Sequence, residues 1–258
     1  MPLPLPISGV VITKNEGDRI ERCVRSLAGV CKEIIVLDSG SDDDTVSRAC
    51  AAGAIVRHQD WLGFSGQKNA AIALASQPWV LLLDADEWLG DGAEPGLHAL
   101  FVSGRVESAD VWVLGRRTHY LGSALNFGGW GRESVQRLFR PSLRYLPAKV
   151  HEKLDTRGCR TRSTRIRIEH DTARSASEYH DKLMRYAQLW ADDKRQAGRR
   201  ASGLSPWLHA GAYWLKNYAF RGGFLDGRPG WRYHWAHACY VWWKYRFLRA
   251  QSQQQAPS

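Results

Sequence analysis

The sequence predicts an α/β fold built on a mostly parallel central sheet, and three observations carry that prediction. Aliphatic runs alternate with helical spacings over the first 90 residues, two of those runs end in a carboxylate, and no glycine-rich loop follows the first of them. Strands that alternate with helices bury both faces of a parallel sheet. Ligands of such sheets sit at the carboxyl ends of the strands.

The elements follow in order. Ile7–Thr13 is a β-branched run that reads as a buried strand. Asn15 or Asp18 is the expected cap of a helix in which Ile20, Cys23, Val24 and Leu27 share one face. Glu33–Asp38 is a second strand that ends in a carboxylate, and Ser39–Ser41 is a turn. Asp42–Ala52 is a second helix with acids in its first turn, where the helix dipole favours them. Ala54–His58 is a third strand, Gly66–Ser76 an Ala-rich helix, and Trp79–Asp84 a fourth strand that again ends in a carboxylate. Thr13, Asp38 and Asp84 therefore converge on one sheet edge.

Beyond residue 90 the pattern loosens. Asp110–Arg116, Ser134–Phe139 and Arg165–His170 read as strands, and Ser175–Arg199 as a long charged helix. Ser205–Arg249 interleaves 14 aromatic residues with Lys and Arg, and the tail from Ala250 is polar and expected to be disordered. The division expected is a catalytic domain over 1–200, with a nucleotide half (1–90) and an acceptor half (91–200), and a helical extension over 201–258.

Charge separates the chain more sharply than composition does. Residues 1–100 hold 8 Lys+Arg and 14 Asp+Glu, a balance of -6; the rest hold 28 and 12, a balance of +16. An acidic first part suits metal or nucleotide chemistry, and a basic second part suits an anionic partner. No apolar run reaches the roughly 18 residues of a membrane span, and Met1–Val11 lacks the basic start of a signal peptide. The expected location is therefore cytoplasmic. The five cysteines are scattered and form no C-x-x-C pair, so neither a zinc site nor a disulfide framework is indicated.

Asp84-Ala85-Asp86 is the central chemical feature. With 16 Asp in the chain, one D-x-D is expected by chance, and Asp42–Asp44 supplies a second, read as a cap and solvated surface. Asp84 and Asp86 differ because a strongly apolar strand fixes where they emerge. Two carboxylates there can hold a hard divalent cation against a diphosphate. Neither G-x-G-x-x-G nor G-x-x-x-x-G-K-[ST] is present, so a nucleotide must be held by strand-end side chains.

Four motifs, Val11-Ile12-Thr13-Lys14-Asn15-Glu16, Ile35-Val36-Leu37-Asp38-Ser39-Gly40-Ser41-Asp42, Lys68-Asn69-Ala70-Ala71 and Leu83-Asp84-Ala85-Asp86-Glu87, resemble in order and spacing the inverting family-two glycosyltransferases of the GT-A fold. Arg116-Arg117-Thr118-His119-Tyr120, Gly129-Trp130, Arg137-Leu138-Phe139-Arg140, Val150-His151-Glu152 and Phe224-Leu225-Asp226-Gly227 are similar to a branch that builds lipopolysaccharide core. The likeness runs over about residues 7–248. It implies a GT-A-type Rossmann-like sandwich that moves a hexose, glucose by the branch, from a UDP-sugar to a lipid-linked acceptor such as the lipopolysaccharide inner core. It further implies that Thr13, Asn15 and Glu16 line the nucleotide pocket, that Asp38 meets uracil or ribose, and that Lys68 lies near base or phosphates. Asp84 would contact ribose or metal, and Asp86 would ligate Mg²⁺ or Mn²⁺.

Inverting transfer needs a base for the acceptor hydroxyl. Glu152 is the first candidate and Glu133 the second; the alternative for Glu152 is a loop salt bridge, and for Asp38 the cap of its own turn. His151 is a substrate hydrogen-bonding group, a packed loop residue or a metal ligand. His170 could reach a phosphate and is not expected to ligate a metal. Strand alternation separates Arg137 from Arg140, so one faces phosphate or acceptor and the other solvent. The aromatic and basic C-terminal region suits peripheral contact with an anionic membrane. A Mg-dependent nucleotidyltransferase is the alternative enzyme, disfavoured without a Gly-rich loop. A nucleic-acid binder is the alternative non-enzyme; it leaves the acidic strand ends unexplained, and no nucleic-acid partner is expected.

Overall fold

Strand registers in the computed structural model, which describes residues 3–131, 133–147 and 152–253, explain why the acidic residues gather. In chain order the described elements are β1 (Leu5–Thr13), α1 (Ile20–Ala28), β2 (Cys31–Asp38), α2 (Thr45–Ala51), β3 (Ile55–His58), α3 (Gly63–Ala73), β4 (Trp79–Asp84), β5 (Glu87–Leu89), α4 (Ala93–Val102), β6 (Val111–Tyr120), β7 (Ser123–Ala124), β8 (Glu133–Phe139), β9 (Thr161–Asp171), α5 (Ala176–Gln196), α6 (Ser205–Trp214) and α7 (Gly227–Gln253). A π-helical turn, Leu215–Phe220, and a 3₁₀ turn, Gly223–Asp226, join α6 to α7.

The sheet runs β3-β2-β1-β4-β8-β6-β9-β5, with β7 paired to β6. Its first four strands are parallel, and β8 on β4 and β5 on β9 are antiparallel. This is the predicted GT-A-type α/β arrangement. β1 and β4 lie inside the sheet and are apolar on both faces: Ile7, Val11, Leu81 and Leu83 pack one way, Val10, Ile12, Val80 and Leu82 the other. Burial on both faces is why the two strands read as continuous hydrophobic runs rather than alternating ones.

The chain divides into two compact units: Met1–Arg116 with Ser134–His170, and Arg117–Glu133 with Asp171–Ser258. The second has its own core, in which Tyr120, Leu125, Tyr179, Leu183 and Tyr233 pack together.

Several predicted boundaries move for identifiable reasons. Neither Asn15 nor Asp18 caps α1; Arg19 occupies that position without a side-chain bond. Asn15 instead takes a left-handed φ of 55°, which Asn tolerates better than most residues, and ties its loop to Ser41 and Asp42. α2 begins at Thr45 rather than Asp42, because Asp43 is used as a turn residue: it accepts from the Thr45 N–H at 2.9 Å and the Gly17 N–H at 3.1 Å. The acids thus precede the helix instead of occupying its first turn. Ser175, expected inside the helix, instead caps α5, accepting from the Glu178 N–H at 3.1 Å. Residues 250–253, expected to belong to a disordered tail, continue α7. β5 and α4 are elements that periodicity did not reveal.

Candidate active site

β1, β2 and β4 end level with one another. Thr13 is in register with Asp38, and Ile12 with Asp84. The loops that follow are stitched together: the Ser39 N–H donates to the Thr13 carbonyl at 3.0 Å, and the Glu16 N–H to Thr45 Oγ1 at 2.8 Å. Thr13 Oγ1 is buried with no hydrogen-bond partner among the described residues. Asp38 is occupied by its own turn, Oδ2 accepting from the Gly40 and Ser41 N–H groups at 2.9 Å each. That is the capping alternative left open by the sequence. Glu16 also pairs with Arg19 at 3.5 Å.

A balanced group of charges lies beside this edge in the first unit. Arg137 Nη2 is 2.6 Å from Asp84 Oδ2 and 2.6 Å from Glu87 Oε1. Lys68 Nζ is 2.6 Å from Glu152 Oε1 and 3.3 Å from Asp84 Oδ1. Arg116 reaches Glu87 at 3.4 Å. Burial works against the charge on Asp84, yet Arg137 and Lys68 outweigh it and hold the carboxyl well below the ordinary aspartate range. Glu152 behaves in the same way: desolvation opposes ionisation, and the Lys68 bond and charge overcome it and lower its pKa. Lys68 loses solvation but gains Asp84, and its pKa rises.

The position of Asp84 bears on the expected metal ligands. Each of its oxygens already faces a cationic side chain, so Asp84 is poorly placed to ligate a cation as well. Asp86, two residues on, meets His170 Nε2 at 3.4 Å through Oδ2. His170 Nδ1 is buried without a hydrogen-bond partner among the described residues. A carboxylate and an imidazole side by side can supply two ligands to a divalent cation. Among the described residues no group of three His, Cys, Asp or Glu stands close enough to hold a metal unaided.

The other predicted residues fall as follows. Arg137 faces the carboxylates. Arg140 does not join them: it stacks over Trp79 at 4.0 Å and pairs with Glu107. Glu133 opens β8 and is grouped with the second unit, while the rest of that strand belongs to the first. His151 lies outside the described residues. Sequence reasoning gave no role to Glu87 and Arg116, missed Tyr145, whose ring lies 5.3 Å from Lys68 Nζ, and undervalued His170. The signal for Glu87 was available, since a charged residue directly after a buried strand end needs a partner. His170 is set opposite Glu87 by β5–β9 pairing, and β5 was not anticipated.

A profile of glycosyl transferase family 2 matches residues 8–129. The lipopolysaccharide core biosynthesis glycosyltransferase LpsC of Rhizobium meliloti is 30% identical over 245 residues, covering 88% of this chain and 88% of that protein. An uncharacterized glycosyltransferase of Rickettsia conorii is 43% identical over 97 residues, 38% of this chain; the match spans only 34% of that relative's own length. Among solved structures, Staphylococcus aureus TarS in complex with UDP-GlcNAc is similar over 97% of this chain and 92% of that one, at 14% identity and a TM-score of 0.49.

Proposed function

The chain belongs to glycosyl transferase family 2, and on that premise we propose that it moves a hexose, glucose in the first instance, from a UDP-sugar to a hydroxyl of a lipid-linked glycan such as the lipopolysaccharide inner core, with inversion. The observation that carries this reading is the level edge formed by Thr13, Asp38 and Asp84, with Asp86 and His170 paired just beyond it. The similarity to LpsC, which extends over most of both chains, supports the lipopolysaccharide acceptor.

In this reading the loops Thr13–Glu16 and Asp38–Thr45 wall the nucleoside. Arg137 and Lys68 hold the Asp84 carboxylate in place, so that it is set for the ribose without rearrangement. Asp86 and His170 would hold Mg²⁺ or Mn²⁺, which would supply positive charge against the departing diphosphate. As the acceptor oxygen bonds to the anomeric carbon, the bond from that carbon to the diphosphate breaks, and the hydroxyl proton passes to a carboxylate. Glu152 is the base we assign. Its 2.6 Å contact fixes it beside Lys68, which also lies 3.3 Å from Asp84.

The C-terminal region supports a place at the inner face of an anionic membrane. Trp207, Leu208, Phe220 and Phe224 are all more than half exposed, and residues 201–258 carry seven Lys and Arg against one Asp. Aromatic and basic side chains together favour such an interface. No described helix is long and apolar enough to cross a membrane.

Thermal unfolding with UDP and Mn²⁺, together with turnover on truncated core glycan, tests the assignment. The wild type is expected to be stabilised by UDP only with the cation, and Asp86→Ala to lose that response. Glu152→Gln is expected to keep the response and lose transfer. A full response in Asp86→Ala would remove the cation site, and undiminished turnover in Glu152→Gln would remove the base.

A further inference from the structure

We propose that the cleft formed by α5, the β6–β7 turn and α7 in the second unit receives one acyl chain of an anionic membrane lipid. Helix α7 is apolar on two faces. One carries Tyr233 and His237, buried against Tyr179 and Trp130. The other carries Trp231, Trp235, Cys239 and Trp243 at helical spacing and lines a cleft of about 520 Å³, within the range of ligand-sized sites. A surface helix ordinarily needs one apolar stripe. The second stripe leaves Trp231 45% and Trp235 56% exposed, with the two rings stacked 5.9 Å apart.

Two features identify the occupant. The lining contains no carboxylate; its charged group is Arg232, with His180 across the cleft. Asp226, the sole acid of residues 201–258, is turned to the backbone, accepting from the Asn126 and Phe127 N–H groups at 3.0 Å. An elongated apolar body with a negative head matches this surface. A sugar ring would stack on the indoles, but its hydroxyls would find few polar partners among the lining side chains. The opposite wall contains Leu121, which has a left-handed φ of 50°. A non-glycine residue in that region is strained and persists where its surroundings hold it there. The cleft belongs to the same unit as Trp207, Phe220 and Phe224, the exposed side chains on which the membrane reading rests. The proposal rests on the membrane reading above.

Cys239 offers a direct readout, since it lines the cleft and is half-buried, while Cys23 and Cys31 are buried. In the full chain carrying Cys50→Ser and Cys159→Ser, maleimide labelling of Cys239 is followed with monomeric lysophosphatidylglycerol, with lysophosphatidylcholine and with neither; co-sedimentation with phosphatidylglycerol vesicles is measured in parallel. Lysophosphatidylglycerol is expected to slow labelling several-fold. Arg232→Glu is expected to raise the half-protecting concentration about tenfold. Trp235→Ala, at an exposed position, is expected to weaken protection by both lipids. Unchanged labelling in a protein that still sediments with vesicles overturns the cleft and leaves the membrane reading standing. Loss of both overturns both. Protection that ignores the headgroup and Arg232→Glu overturns the anionic assignment. Protection that appears only on concentrating the protein identifies a second copy as the occupant and overturns the lipid.

Discussion

Arg137 in the first unit lies between two carboxylates, each 2.6 Å from its Nη2, whereas in the second unit Tyr179 and His237 meet at 2.6 Å among rings that carry no formal charge. Both arrangements bury polar atoms. The first does so with opposed full charges, so each charge there is compensated within the cluster. The second does so with neutral hydroxyls and imidazoles, so its surroundings stay apolar. Burial works against the charged form of His237 and pushes its pKa down to about 3. The same force on Asp84 is overcome by Arg137 and Lys68.

The largest effect that would break this comparison comes from removing the hub of the charged group. Arg137→Met leaves Glu87, fully buried, and Asp84 short of their main partner, and a buried pair broken on one side costs about 3–5 kcal/mol. Urea unfolding should show that loss. Glu87→Gln in the same chain should recover part of it, because the uncompensated charge is then gone. A loss below about 1 kcal/mol would mean that Arg137 is a bystander.

These two regions were not equally legible in the sequence. β1, β2 and β4 were readable because strands buried on both faces need unbroken apolar runs, and Asp38 and Asp84 mark their ends. The partners of Asp84 were not readable. Arg137 arrives from β8, 53 residues later, on an antiparallel strand, and Glu152 from a connection with little periodicity. The aromatic core of the second unit was visible only as composition. Which face of α7 would be buried depends on Tyr120 and Tyr179, which lie far from it in sequence.

A medium effect separates the units by pH. His237 has a folded pKa of about 3 and an ordinary unfolded value near 6.5. Between those values the unfolded chain binds more protons, so the second unit loses stability as pH falls below about 6.5, by at most about 1.4 kcal/mol per pH unit. His234, whose pKa burial also lowers, adds to the same trend. Glu152 and Asp84 are depressed carboxylates. Their contribution is full above about pH 4 and is lost only as pH falls through their still lower folded values. Hydrogen exchange, corrected for intrinsic rates, should therefore show α5 and α7 loosening between pH 6.5 and 5 while β1 and β4 hold. Equal loosening of both would erase the distinction, and His237→Gln should flatten the response of the helices alone.

The smallest effect sharpens the contrast within the first unit. Arg137 and Arg140 are two arginines three residues apart that the sequence could not rank. Arg140 sits at the surface over Trp79, paired with an exposed Glu107. A cation–π contact and a surface ion pair of this kind are each worth up to about 1 kcal/mol. Arg140→Ala is therefore expected to cost no more than about 1 kcal/mol in urea, to lose part of that difference in high salt, and to leave the UDP-dependent thermal shift unchanged. If Arg140→Ala instead diminished that shift as Arg137→Met should, the donor's phosphates would have to reach the Trp79 end of β4. The carboxyl edge of the strands would then no longer be the whole of the site.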